Sequence, residues 1–166
     1  MSTRKNPGDP SSRQRNAAFS AAFSGSSGSR GAERSHDAIP HVLVVDDESS
    51  IRLSLHRFLT RLGYLVSTAR NGCEALAALD ESGTVDLVIT DLVMPDFDGR
   101  ELILQMRREH PAIPVLVISG YPAALLPGPD SNGQPVPFLA KPFGLDALES
   151  EVRRLLGTRA RQKGND

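Results

Sequence analysis

Tryptophan is absent from the 166 residues, and there is a single cysteine, Cys73. One thiol excludes an intramolecular disulfide and every multi-cysteine metal centre, and it fits the reducing cytoplasm. Long apolar runs are missing too. No stretch reaches the ~18 apolar residues of a membrane-spanning helix. Neither sign of charge predominates, since 19 basic residues face 20 acidic ones. Nucleic acid is therefore not the expected main partner. The length leaves room for one domain with a real core.

Core-forming residues are also scarce over 1–38, which are crowded with Ser, Gly, Ala and Arg and carry six basic residues against three acidic ones. Such a segment cannot bury enough apolar surface to offset its ordering entropy. Residues 1–39 are read as a disordered arm, within which "NAAFSAAFS" could form a short helix on a partner. An organelle transit peptide is the lesser alternative. Residues 159–166 read as a disordered basic tail. No internal repeat is visible.

From residue 41 strands and helices alternate. Strands are expected at 41–45, 64–69, 85–90, 114–119 and 136–140. Helices are expected at 50–63, stopped by Gly63, at 71–82 and 100–110, and at 145–157, stopped by Gly157. "HVLVV", "VDLVIT" and "PVLVIS" are near-continuous aliphatic runs, the pattern of strands buried on both faces of a parallel sheet. Five βα units of this length predict an α/β domain, doubly wound, with a five-stranded, flavodoxin-like parallel sheet. Its ligand crevice lies beyond the carboxyl ends of the strands, between the first and third. One unit departs from the pattern. "GYPAALLPGPDSNGQPVP" (120–137) is too rich in Pro and Gly for a long helix, so at most one or two turns are expected around 122–126.

Asp46, Asp47 and Glu48 follow the first strand, Asp91 the third, and Lys141 and Pro142 the fifth, while Ser119 ends the fourth. Taken singly these are a helix cap, a turn residue and a solvated charge more often than ligands. Taken together they are costly. Two carboxylates 4 Å apart repel by roughly 4 kcal/mol near a surface, and exposed salt bridges return only about 0–1 kcal/mol. Packing Asp46, Asp47 and Asp91 side by side needs a cation. Mg²⁺ suits an oxygen-only donor set that leaves room for phosphate oxygens. A hydroxyl (Ser119) and an ammonium (Lys141) add what a phosphoryl group requires, and a carboxylate is a competent nucleophile for it.

"VLVVDDE", "DLVITDLVMPDFDGRELI", "PVLVISGY" and "FLAKPF" resemble, in order, the receiver domain of two-component response regulators, over residues 41–157. The resemblance implies that Asp91 is the phosphoacceptor, charged by a histidine kinase or histidine phosphotransfer protein. It implies that Asp46, Asp47, Asp91 and the backbone carbonyl of Val93 hold Mg²⁺. Lys141 and Ser119 would contact the phosphoryl group, and Phe138 would be the switch aromatic. It also implies a cis Lys141–Pro142 bond. Asp96 and Asp98 are read as turn-formers, with Gly99 supplying an unusual φ. Tyr121 is read as packed on the domain and Cys73 as a small core residue. His36, His41 (at a strand edge), His56 and His110 are assigned no chemistry.

The expected organisation is a receiver over 40–158 without an output domain, since the nine residues after Gly157 are too few for one. It would act on an unknown downstream protein and, apart from catalysing its own phosphorylation and dephosphorylation, would not be an enzyme. Receivers with "SGY" also occur attached to sensor kinases. Two rivals remain: a phosphohydrolase with an aspartyl-phosphate intermediate, which would want a carboxylate where Val93 stands, and a degenerate receiver used only for docking.

Overall fold

The computed structural model describes residues 39–163 except Gly83, Asp96 and Ser131. The expected arm and its "NAAFSAAFS" segment, His36 and Asp96 lie outside the described residues.

The strands are β1 (His41–Val45), β2 (Leu65–Ala69), β3 (Leu87–Thr90), β4 (Val115–Ser119) and β5 (Phe138–Ala140). They form one parallel five-stranded sheet in the order β2-β1-β3-β4-β5, with the winding reversed between β1 and β3. The helices are α1 (Ser49–Arg61), α2 (Gly72–Ser82), α3 (Gly99–Glu109) and α4 (Leu145–Lys163). The doubly wound α/β arrangement expected from the sequence is thus observed.

Strand periodicity sorts the aliphatic residues onto two faces. Val42, Val44, Leu87, Ile89, Leu116 and Ile118 pack on Leu55 and Leu59 of α1 and on Leu148, Val152 and Leu155 of α4. Leu43, Val45 and Val88 point the other way, onto Ala75 and Leu79 of α2 and Leu102 and Met106 of α3. Side chains buried on both faces explain why β1, β3 and β4 read as unbroken apolar runs. β2, at the sheet's edge, is half exposed.

Between β4 and β5 the described residues make one 3₁₀ turn, Ala123–Leu125. A loop then takes the place of a helix. Leu126, Val136 and Phe138 cover Leu92, Ile103 and Val117, and Arg107 Nη1 donates to the Gly128 carbonyl at 2.8 Å. Asp130 Oδ1 accepts from the amides of Asn132 and Gln134, and Gly133 takes a φ of 74° that suits glycine.

The helix ends show one agreement and one correction. Gly63, with φ 90°, closes α1 as expected. Gly157 does not stop α4, which runs on to Lys163, so residues 159–163 are helical rather than part of a disordered tail. A helical glycine costs about 1 kcal/mol relative to alanine. Two smaller corrections concern burial. Cys73 is exposed, because Ala75 and Leu79 form the inner face of α2. His41 is buried rather than at a strand edge: Nε2 lies 2.9 Å from Ser67 Oγ and Nδ1 lies 3.3 Å from Thr84 Oγ1. Burial pushes its pKa down against the pull of Asp86.

Candidate functional site

Asp46, Asp91 and Lys141 each follow directly on a strand, while Ser119 closes β4, and sheet-like hydrogen bonds carry on past the strand ends to hold the first three. The Asp46 amide donates to Ala69 O, the Asp91 amide to Val45 O, and the Lys141 amide to Ser119 O. Asp46 and Asp91 therefore stand side by side at the carboxyl edge of β1 and β3, where the winding reverses. Lys141 reaches them from the end of β5. Its Nζ lies 2.6 Å from Asp91 Oδ2 and 3.2 Å from Asp46 Oδ2. The Lys141–Pro142 bond is cis.

The Asp91 carboxylate is held from its other side as well. Oδ1 accepts from the amides of Leu92 at 2.5 Å and Val93 at 3.2 Å. Thr90 Oγ1 donates to the Asp91 carbonyl at 2.8 Å. The side chain is only 14% exposed, open at one edge and tightly oriented. Asp46 is deeper, with its side chain 5% exposed, and its Oδ1 accepts from the Glu48 amide.

The charges respond to this depth. Burial raises the Asp46 pKa above its ordinary value, outweighing the Glu48 amide and Lys141, while Asp91 adds repulsion in the same direction. For Lys141 burial works against the charge, but Asp91 and Asp46 together hold its pKa above the ordinary value. The two net shifts differ because Asp46 is the more deeply buried and because Lys141 has two carboxylate partners. The ionised Asp46 is a burial cost that a cation would relieve.

Ser119 is fully buried, and its Oγ accepts from the Tyr121 amide. Phe138, expected as the switch aromatic, is half-buried against Leu92, Ile103 and Val117. Asp47 and Val93 are exposed at the rim. Among the described residues no three His, Cys, Asp or Glu side chains converge closely enough to enclose a metal. Asp46 and Asp91 converge on the Lys141 ammonium instead.

The description "Response regulator receiver domain" matches residues 42–153. The chain belongs to this family. Receiver domains are phosphoacceptors that bind Mg²⁺ at an acidic pocket. This receiver is 40% identical over 120 residues to the sensor kinase CckA of Brucella abortus, which covers 69% of this chain but only 12% of the kinase. The solved receiver domain of the hybrid histidine kinase CckA is 36% identical with a TM-score of 0.59, covering 70% of this chain and 98% of that one. The response regulator TrrA of Thermotoga maritima, solved in complex with Mg(2+)-BeF, is 31% identical with a TM-score of 0.59, covering 70% and 99%.

The donors of this receiver fit Mg²⁺ by chemistry. They are hard oxygens, two of them on carboxylates of adjacent strands, and Mg²⁺ is typically bound by one or two carboxylates with waters and phosphate oxygens filling the rest. The burial of the Asp46 carboxylate, 5% exposed beside a second carboxylate, points in the same sense.

Several sequence expectations are corrected around the site. Asp98 is the N-cap of α3 rather than a simple turn residue, its Oδ1 accepting from the Glu101 amide at 2.9 Å. Gly99 does not have an unusual φ. A Cβ on Gly99 would collide with the Asp91 carbonyl and with Leu92 Cα. Tyr121 is 53% exposed rather than packed on the domain. The sequence reading also missed Arg52, whose Nη1 donates to the carbonyls of Asp46 and Asp47. A basic residue on a solvated helix carries no signal of that contact.

The buried charge gives a test. The Asp46 pKa lies above its unfolded value, so the folded state is penalised as pH rises through the carboxylate range, and the full penalty is present at pH 7. Asp46→Asn keeps the oxygen that the Glu48 amide uses. In chelator at pH 7 it should melt at a higher temperature than the wild type, with the gain vanishing near pH 3–4, about where an ordinary carboxyl titrates. Added Mg²⁺ should raise the wild-type melting temperature more than that of the variant. A thermal scan against pH checks both; a variant less stable at pH 7 than at pH 4, relative to wild type, would reverse the sign.

Proposed function

We propose that the chain is a phosphorylation-dependent signalling switch in which Asp91 accepts a phosphoryl group from a histidine kinase or histidine phosphotransfer protein. The observation that carries this reading is the Lys141 ammonium shared between Asp91 and Asp46 at the reversal point of the sheet. An Asp91 carboxylate oxygen attacks phosphorus, the phosphorus–nitrogen bond of the donor phosphohistidine breaks, and the electron pair leaves with the imidazole, giving an acyl phosphate. The amides of Leu92 and Val93 keep the carboxylate aimed. Lys141 neutralises charge on the transferred group, and the Ser119 hydroxyl donates to one of its oxygens. Mg²⁺, held by Asp46, Asp47, Asp91 and the Val93 carbonyl, would supply the remaining positive charge. Phe138 would then change its packing against Val117 as β5 adjusts.

Its activity beyond this self-directed chemistry is none. The output passes to a partner protein, in the cytoplasm, from a receiver body spanning 40–158. The phosphohydrolase alternative lacks support, because the position two residues beyond Asp91 is Val93, which has no acid or base.

The test is chemical labelling. Incubation with acetyl phosphate and Mg²⁺ should add one phosphate to the intact protein, mapping to Asp91, and a chelator should prevent it. Deleting residues 1–38 should leave both labelling and melting temperature unchanged. Labelling that maps elsewhere, or that persists in chelator, would overturn the reading.

A further inference from the structure

The loop that carries Asp46 and Asp47 must turn from β1 into α1, and its usual fastening is missing. Glu48 stands at the N-cap of α1 without a side-chain capping bond; its carboxylate instead accepts from Ser50 Oγ. No acidic residue occupies the first helical turn. Within the loop Asp46 Oδ1 accepts from the Glu48 amide, and a second fastening comes from one turn further on. Arg52 Nη1 donates to the Asp46 carbonyl at 2.6 Å and to the Asp47 carbonyl at 2.8 Å. The Arg52 backbone is fixed in the helix by the bond from its amide to the Glu48 carbonyl at 3.1 Å.

We infer that Arg52 is a positioning residue for the metal site: by gripping two successive carbonyls it fixes the direction in which the Asp46 and Asp47 carboxylates leave the loop. This rests on the Mg²⁺-dependent reading of the site above. The guanidinium suits the task, since its donors are rigidly disposed and it stays charged at every physiological pH. Bonds from a charged donor are also roughly twice as strong as neutral ones. Asp46 needs such a hold. Its side chain is only 5% exposed beside Asp91, so a loosened loop would let the carboxylate swing toward water, where a charge is better solvated.

Charge and grip predict opposite signs, which makes the inference decidable. Arg52 places a cation close to the acidic loop. Were its charge all that mattered, removing it would tighten binding of a divalent cation. If its grip matters, removing it weakens binding, because residues that orient metal ligands typically contribute 10- to 100-fold to affinity.

The experiment is calorimetric titration of Mg²⁺ into the full-length wild type, Arg52→Met and Arg52→Lys, with melting temperatures measured in chelator. Arg52→Met should bind Mg²⁺ about tenfold or more weakly. Arg52→Lys, which keeps the charge but not the planar guanidinium whose Nη1 bridges both carbonyls, should fall between. Acetyl phosphate labelling of Arg52→Met should recover its wild-type rate at saturating Mg²⁺, a recovery that general damage to the fold would not allow. Unchanged or tighter Mg²⁺ binding by Arg52→Met would overturn the inference while leaving the switch reading intact. A wild type that neither binds Mg²⁺ nor is labelled would instead overturn the switch reading, and the inference with it. If Arg52→Met fails to fold in chelator, the intermediate Arg52→Lys affinity decides alone: wild-type affinity there refutes the grip.

Discussion

Asp91→Ala takes up no phosphate from acetyl phosphate, at any Mg²⁺ concentration, while remaining folded. The loss should be complete, because the site offers no second carboxylate in the same setting: Asp46 is deeper, with its Oδ1 engaged by the Glu48 amide, and Asp47 sits on the exposed rim. The fold should tolerate the change. Removing Asp91 takes a 2.6 Å partner from Lys141, but it also removes a negative charge that repels Asp46. Lys141 keeps Asp46 as its partner at 3.2 Å. These effects oppose one another, although the Leu92 and Val93 amides lose an acceptor, so the net loss should stay below the ~3–5 kcal/mol of breaking a buried pair outright. Intact-protein mass spectrometry and a urea melt check the two halves. Undiminished labelling would sink the assignment of Asp91, and unfolding would show that its carboxylate is structural.

Gly99→Ala should destabilise the protein and slow its phosphorylation, although alanine is the better helix former. Gly99 opens α3, and its amide donates to the Leu92 carbonyl at 2.9 Å. Helix propensity alone predicts a gain of about 1 kcal/mol from the substitution. The methyl group, however, would press into the Asp91 carbonyl and Leu92 Cα. Both are backbone atoms and cannot rotate away. Either α3 shifts or the loop bearing Asp91 does, at a cost of about 1–3 kcal/mol for overpacking. The shift falls on the residue whose carboxylate must be aimed, so the rate of labelling should drop with stability. Gly157→Ala is the control. It lies mid-helix in α4 with open space around it, so there the propensity gain should appear undiminished. A urea melt showing Gly99→Ala stabilised as much as Gly157→Ala would refute the collision.

The fold and the site were legible to different depths, and the boundary follows physical range. Strand and helix identity came through well because burial imposes a period on the chain. The aliphatic runs of β1, β3 and β4 and the i, i+4 spacing of Leu55 and Leu59 are visible before folding. Strand-end residues were legible for a similar reason, since the residue after a buried parallel strand must lie at the sheet's carboxyl edge. The failures fall where a residue's meaning depends on a distant neighbour. Gly99 reads as a turn glycine until Asp91, eight positions earlier, is folded against it. Gly157 reads as a stop, yet α4 runs through it to Lys163.

The sequence by itself determined the alternation of strands and helices, the missing helix between β4 and β5, and the identities of Asp46, Asp91, Ser119 and Lys141 as the polar residues at strand ends. Those are consequences of local pattern: apolar period, proline content and position along the chain. Tertiary structure alone decided that Lys141 joins Asp46 to Asp91 across 95 and 50 residues of sequence. It also decided that Arg52 grips the acidic loop, and that the space beside the Asp91 carbonyl admits no side chain at Gly99. Distances of a few ångströms between segments far apart in sequence are set by how the sheet orders its strands and how the helices pack on it. A chain read one residue after another carries the donors and acceptors but not their meeting.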